Sequence, residues 1–111
     1  MFNQPTEQQL KKIPKLYETE CTPPKEKTIH LHFQFAKSHW FIVEFDGEDT
    51  FFGFVILNGD PDMAEWGYIS YTDLKEININ GWEILNDPTW KTQKASEVEL
   101  ICQAQKWERH F

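Results

Sequence analysis

Cysteine is scarce in this chain. Cys21 and Cys102 are the only two and have no CxxC spacing, which excludes a disulfide framework. Long apolar runs are missing as well. No run exceeds the four residues of FVIL, residues 54–57, far short of the ~20 residues a membrane-spanning helix needs. The opening MFNQPTEQQLKK is polar and does not read as a basic-then-apolar leader. A cytoplasmic protein with reduced thiols and no membrane contact is the expectation.

Positive charge is thin where it would matter most for phosphate binding. Residues 1–28 carry five Lys against four acids, residues 29–71 one Lys against seven acids, and residues 72–111 five basic groups against seven acids. Most of the net charge of −7 therefore sits on the middle third. Phosphate binding needs clustered Lys and Arg. A basic face would have to be assembled from Lys11, Lys12, Lys15, Lys91, Lys94 and Arg109. Direct nucleic-acid binding is not expected, and a cation or a basic protein surface is the better electrostatic match. The motifs GxSxG, HExxH, Walker A and GxGxxG are all absent. Neither cysteine has a base placed beside it by sequence. These absences favour a non-enzymatic module without a cofactor.

What is present is a ring-rich chain of 111 residues, 15% of them aromatic, long enough for one domain spanning 1–111 with a single core. Thr6 with Gln9 has capping-box spacing and predicts a short N-terminal helix over 7–12, stopped by Pro14. From Ile29 the period becomes two. Ile29, Leu31, Phe33 and Phe35 alternate with polar residues, and a turn at Lys37-Ser38 leads into a strand with Phe41, Val43 and Phe45 on one face. DGED marks a turn, FFGFVILN a central strand covered on both sides, NGDPD another turn and WGYISY a further strand. TDLKEI reads as one helical turn capped by Thr72, and Asn80-Gly81 as a small hairpin. Ser96 with Glu99 predicts a second capped helix whose buried face carries Leu100, Ile101, Ala104 and Trp107. The expected fold is α+β: an antiparallel β-meander of about four to six strands, packed against a C-terminal helix and a short N-terminal helix.

Two acidic groups bracket the central strand: Asp46, Glu48 and Asp49 before it, and Asp60, Asp62 and Glu65 after it. A strand of that length separates them by about 20 Å, so they cannot share one metal. The first group reads as a solvated turn. The second fails as an EF-hand, because Ala64 and Glu65 stand where an acid or amide and a glycine are needed. The Lys37-Ser38 turn and the 58–65 loop share one end of a meander, so His39 with Asp60, Asp62 and Glu65 is the candidate set for a divalent metal. His30 and His32, two apart, read as the polar face of an edge strand. Trp40, Trp66 and Tyr68 lie beside the acidic loops, and such rings dominate protein interfaces.

IPKLYETE (13–20), DGEDTFFGFVILNGDPDMAEWGY (46–68) and KASEVE (94–99) also resemble a bacterial family called domain of unknown function 2958. The likeness spans roughly residues 12 to 101. It implies an accessory protein of plasmids, integrated elements and phages, and supplies no catalytic residues. The resulting expectation is a non-enzymatic, acidic protein-binding module whose surface comprises Asp46, Glu48, Asp49, Asp60, Asp62, Glu65, Trp40, Trp66 and Tyr68. Its partner would be a protein with a basic surface. Interference with a DNA-targeting defence system is one use for it. The alternative is a small metal-dependent enzyme, or an accessory domain of a DNA-processing machine.

Overall fold

A computed structural model describes residues 1–108. Its first helix, α1, spans Glu7–Lys11 and starts with the predicted capping box. Thr6 Oγ1 accepts from the Gln9 amide at 3.1 Å, and Gln9 Oε1 accepts from the Thr6 amide at 2.9 Å. The chain then crosses an irregular stretch to β1 (Thr28–Ile29), β2 (Leu31–Phe35), β3 (Ser38–Phe45), β4 (Thr50–Ile56) and β5 (Glu65–Ser70). Helix α2 (Tyr71–Glu76) precedes a hairpin of β6 (Asn78–Ile79) and β7 (Trp82–Glu83). β8 (Leu85–Asn86), β9 (Gln93–Lys94) and α3 (Glu99–Gln105) complete the described chain.

The α+β expectation holds. The central sheet is antiparallel with five strands in the order β5-β4-β3-β2-β8, and β1 pairs separately with β9. β4 lies inside the sheet, and both of its faces are covered, as its unbroken apolar run predicts. On one face Leu31, Phe33, Trp40, Ile42, Phe45 and Phe51 pack with α1 and α2, whose contributions include Leu10, Tyr71 and Leu74. On the other, Ile29, Phe41, Val43, Phe54 and Ile56 pack with Val98 and Ile101 of the C-terminal segment. Two layers of helix thus enclose one sheet.

Strict alternation fails at two points. Ile29 and Leu31 fall in opposite clusters, because the chain breaks at His30, where β1 leaves the sheet to pair with β9. Phe45 lies opposite Phe41 and Val43 because the β3–β4 register shifts between Ile42 and Glu44. That bulge inserts a residue and reverses the facing of everything after it. Gly53 pairs with Ile42 at the bulge, where an added Cβ would lie only 2.0 Å from the Phe41 carbonyl oxygen.

Two helix caps also differ from the predicted ones. Ser70, not Thr72, caps α2, its hydroxyl accepting from the Asp73 amide at 3.2 Å. Thr72 is occupied by Asp49 instead. Ser96 falls within a 3₁₀ turn at Ala95–Glu97, so α3 starts at Glu99 without a side-chain cap. Its buried residues are Ile101 and Cys102, following Val98, while Leu100 is turned outward and 38% exposed. Asn80 and Gly81 both take positive φ, as the predicted tight hairpin requires.

Candidate functional site

The first acidic group is an internal tie. Asp46 Oδ1 accepts from the amides of Glu48, Asp49 and Thr50 at 2.8, 2.8 and 3.0 Å. The Glu48 bond leads those that hold its carboxyl below the ordinary carboxylate range. Asp49 accepts from the Thr72 amide at 2.7 Å and the Ser70 hydroxyl at 2.9 Å, anchoring the start of α2. The Thr72 hydroxyl bond is the main cause of its lowered pKa. Only Glu48 of this group remains uncommitted to the fold among the described contacts, apart from its backbone.

The second group sits in a loop with a 3₁₀ turn at Pro61–Met63, and Asp60 Oδ1 accepts from the Asp62 amide at 3.0 Å. His39 does lie at this end of the sheet and shares a cleft with Gly59 and Pro61. Asp60, Asp62 and Glu65 do not line that cleft. Among the described residues no three His, Cys, Asp or Glu side chains are gathered to hold an ion, so the expected convergence is not seen. His39 is instead engaged by His32, its Nδ1 lying 2.8 Å from His32 Nε2. Trp40, expected on the surface, is 7% exposed, because its face of β3 is the one covered by α1 and α2. Arg109, one of the six basic residues from which a basic face would have to be assembled, lies outside the described residues.

The feature that does reach solvent is the edge of the sheet. β5 is an outer strand, and among the described residues no backbone group pairs with its free side. It carries no Lys or Pro of the kind that blunts such edges. Tyr68 is 59% exposed and packs edge-on against Tyr17, itself 63% exposed, with ring centroids 6.5 Å apart. Hydrogen bonding to Tyr17, then desolvation and the negative charges of Glu44 and Glu20, raises the Tyr68 pKa. Trp66 is half-buried beneath, its indole N–H donating to Gln105 Oε1 at 3.1 Å. On the opposite face of β5, the space a Gly67 side chain would occupy is open.

Tyr17 is held in place from below. Glu44 is 4% exposed and accepts from the amides of Tyr17 and Thr19 at 2.9 and 3.0 Å, and from the Thr19 hydroxyl. Lys27, 8% exposed, donates from Nζ to the Thr19 carbonyl at 2.6 Å and to Thr19 Oγ1 at 3.2 Å. Thr19 thus bridges a buried carboxylate and a buried ammonium. Tyr17 itself has φ +72°, a left-handed conformation that costs a non-glycine residue energy and persists only where its surroundings enforce it.

Compared with family models, curated proteins and solved structures, the chain gives no match.

One constellation lay outside the sequence reading. His32 Nδ1 stands 3.0 Å from Asp87 Oδ2, and the His32–His39 contact continues the line. Burial alone would raise the Asp87 pKa, but bonds from Thr89 and His32 outweigh it and hold the carboxyl below its ordinary value. Burial lowers the His32 pKa against the opposing pull of Asp87. Burial and then repulsion from His32 lower that of His39. The alternation around His32 read as a polar edge face, yet β2 lies between β3 and β8 and His32 is buried. No local pattern links Asp87 to it, since the two are 55 positions apart.

Proposed function

We propose that this protein is a non-enzymatic protein-binding module that receives an extended, basic segment of a partner along the free edge of β5. The carrying observation is an edge strand left unpaired among the described residues, with an exposed tyrosine pair standing over it. Backbone pairing along such an edge supplies affinity, and side-chain contacts on alternate positions supply selectivity. Tyr17 and Tyr68 offer rigid rings of the kind that anchor interfaces, and their π faces attract Lys and Arg. Asp62 and Glu65 add negative charge where β5 begins. A net charge of −7 favours a basic partner over an acidic one.

The resemblance to domain of unknown function 2958 supplies the setting of the proposal: an accessory protein of a mobile element, working in a bacterial cytoplasm. There, an acidic surface that occupies a basic nucleic-acid channel would interfere with a DNA-targeting defence system. The test is capture from a bacterial lysate on three immobilised forms: wild type, Tyr17→Ser/Tyr68→Ser, and Asp62→Asn/Glu65→Gln. Circular dichroism verifies that each form is folded. Basic proteins retained by wild type and lost from both variants are the expected result. Equal retention on all three forms would overturn the β5 surface.

A further inference from the structure

Asp87, His32 and His39 make a second, independent arrangement that does not rest on the β5 reading. His32 and His39 have ring centroids 5.1 Å apart and planes only 14° from parallel. With facing nitrogens 2.8 Å apart, that separation is what two coplanar rings joined end to end by one N–H···N bond require. Both imidazoles lie parallel to the Phe41 ring, within 6° and 8°, and Trp90 closes against His32 at 54°. The pair is therefore held flat on an aromatic floor.

The direction of the protons follows from the carboxylate. An ionised Asp87 only accepts, so the proton of neutral His32 resides on Nδ1 and its Nε2 is an acceptor. His39 must then donate from Nδ1, which leaves its Nε2 with a bare lone pair. Among the described residues nothing bonds that nitrogen. His39 lines a cleft of about 240 Å³ with Lys37, Ile56, Gly59, Pro61, Leu100 and Gln103. A Cβ on Gly59 would meet the Lys37 stem at 3.2 Å, so the lysine lies across that loop.

We infer that His39 Nε2 is the accepting end of an Asp87–His32–His39 hydrogen-bond relay that fixes its tautomer, and that the cleft takes a small hydroxy acid. The carboxylate of such a ligand pairs with Lys37, its hydrocarbon part meets Ile56, Pro61 and Leu100, and its hydroxyl donates to His39 Nε2. His39 touches the ligand, while His32 and Asp87 are positioning residues.

Nitrogen-15 NMR of the imidazoles tests the relay without any substitution. Both His32 and His39 are expected as the Nδ1–H tautomer, the minor form of free histidine. Asp87→Leu, folded by circular dichroism, removes the acceptor and is expected to release His39 from that tautomer although residue 87 does not touch His39. An Nε2–H tautomer at either ring of the wild type would overturn the relay, as would an Asp87→Leu variant with His39 unchanged. The ligand is tested by titrating the His39 signals with lactate and with propionate, which differ only in the hydroxyl. Lactate is expected to bind about fivefold more tightly, the worth of one net hydrogen bond. Equal binding, or none, would overturn the hydroxy-acid site.

Discussion

At the scale of single residues, the charges that matter most are the hidden ones. Glu44 satisfies two backbone amides and the Thr19 hydroxyl, and Thr19 in turn carries the Lys27 ammonium. Removing one partner of such a group orphans the others, which costs about 3–5 kcal/mol when a buried charge is left unpaired. Glu44→Ala is therefore expected to lower the unfolding free energy by about that amount in urea titration, and to free the 15–22 loop for rapid amide exchange. A loss below about 1 kcal/mol would show that the network is not holding Tyr17 in its left-handed conformation. Gly53 sets a second limit. With the Phe41 carbonyl 2.0 Å from where a Cβ would stand, Gly53→Ala is expected to cost at least the ~1–3 kcal/mol of overpacking. Gly67→Ala meets open space and should leave stability within about 0.5 kcal/mol of wild type. The polar-then-apolar alternation of β2 is plain in the sequence, whereas the role of Glu44 is not. Its partners lie more than twenty positions away, and a glutamate in a strand looks the same whether it faces water or a half-buried threonine.

At the scale of elements, local signals with a local cause were the readable ones. The capping box of α1 joins residues three apart, and the Asn80-Gly81 turn needs only its own two positive φ angles. The C-terminal helix shows where local reading stops. Ser96 and Glu99 have the right spacing, but residues 95–97 form a 3₁₀ turn there. The helix consequently begins later, and tertiary contact decides its buried face, selecting Val98, Ile101 and Cys102 over Leu100. Leu100→Ala and Ile101→Ala separate the two assignments directly. Ile101→Ala is expected to cost about 2–5 kcal/mol by cavity formation, and Leu100→Ala under about 1 kcal/mol. Comparable losses in denaturant titration would return Leu100 to the core. The same logic explains the acidic turn. Asp46 and Asp49 look like surface charge in sequence, yet Asp46 closes the turn before β4 and Asp49 ties that turn to the head of α2.

At the scale of the whole molecule, pH sets two linked effects against each other. His30, His32 and His39 all titrate below their ordinary value of 6.5, with burial the leading cause for each. The unfolded chain therefore binds protons that the folded one refuses. Stability rises with pH wherever the unfolded state holds more protons, so this contribution is full above about pH 6.5 and is lost as pH falls through the lowered folded values. Each proton so coupled gives at most about 1.4 kcal/mol per pH unit. A general relief of self-repulsion works in the other direction, because acid trims a net charge of −7. Exposed charges are screened by salt and buried imidazoles much less so, which makes the histidine term the one that persists at high ionic strength. The lowered values of Asp46, Asp49 and Asp87 give the same sign at a lower window, their contribution being lost as pH falls below 3.8. Urea midpoints measured in high salt are thus expected to be level above pH 7, to fall between pH 6.5 and 5, and to fall again below pH 4. His30→Gln/His39→Gln should flatten the first fall and leave the second. A wild-type midpoint unchanged from pH 7 to pH 5 would mean that the imidazoles accept protons in the folded state as readily as in the unfolded one, and would overturn the histidine contribution to stability.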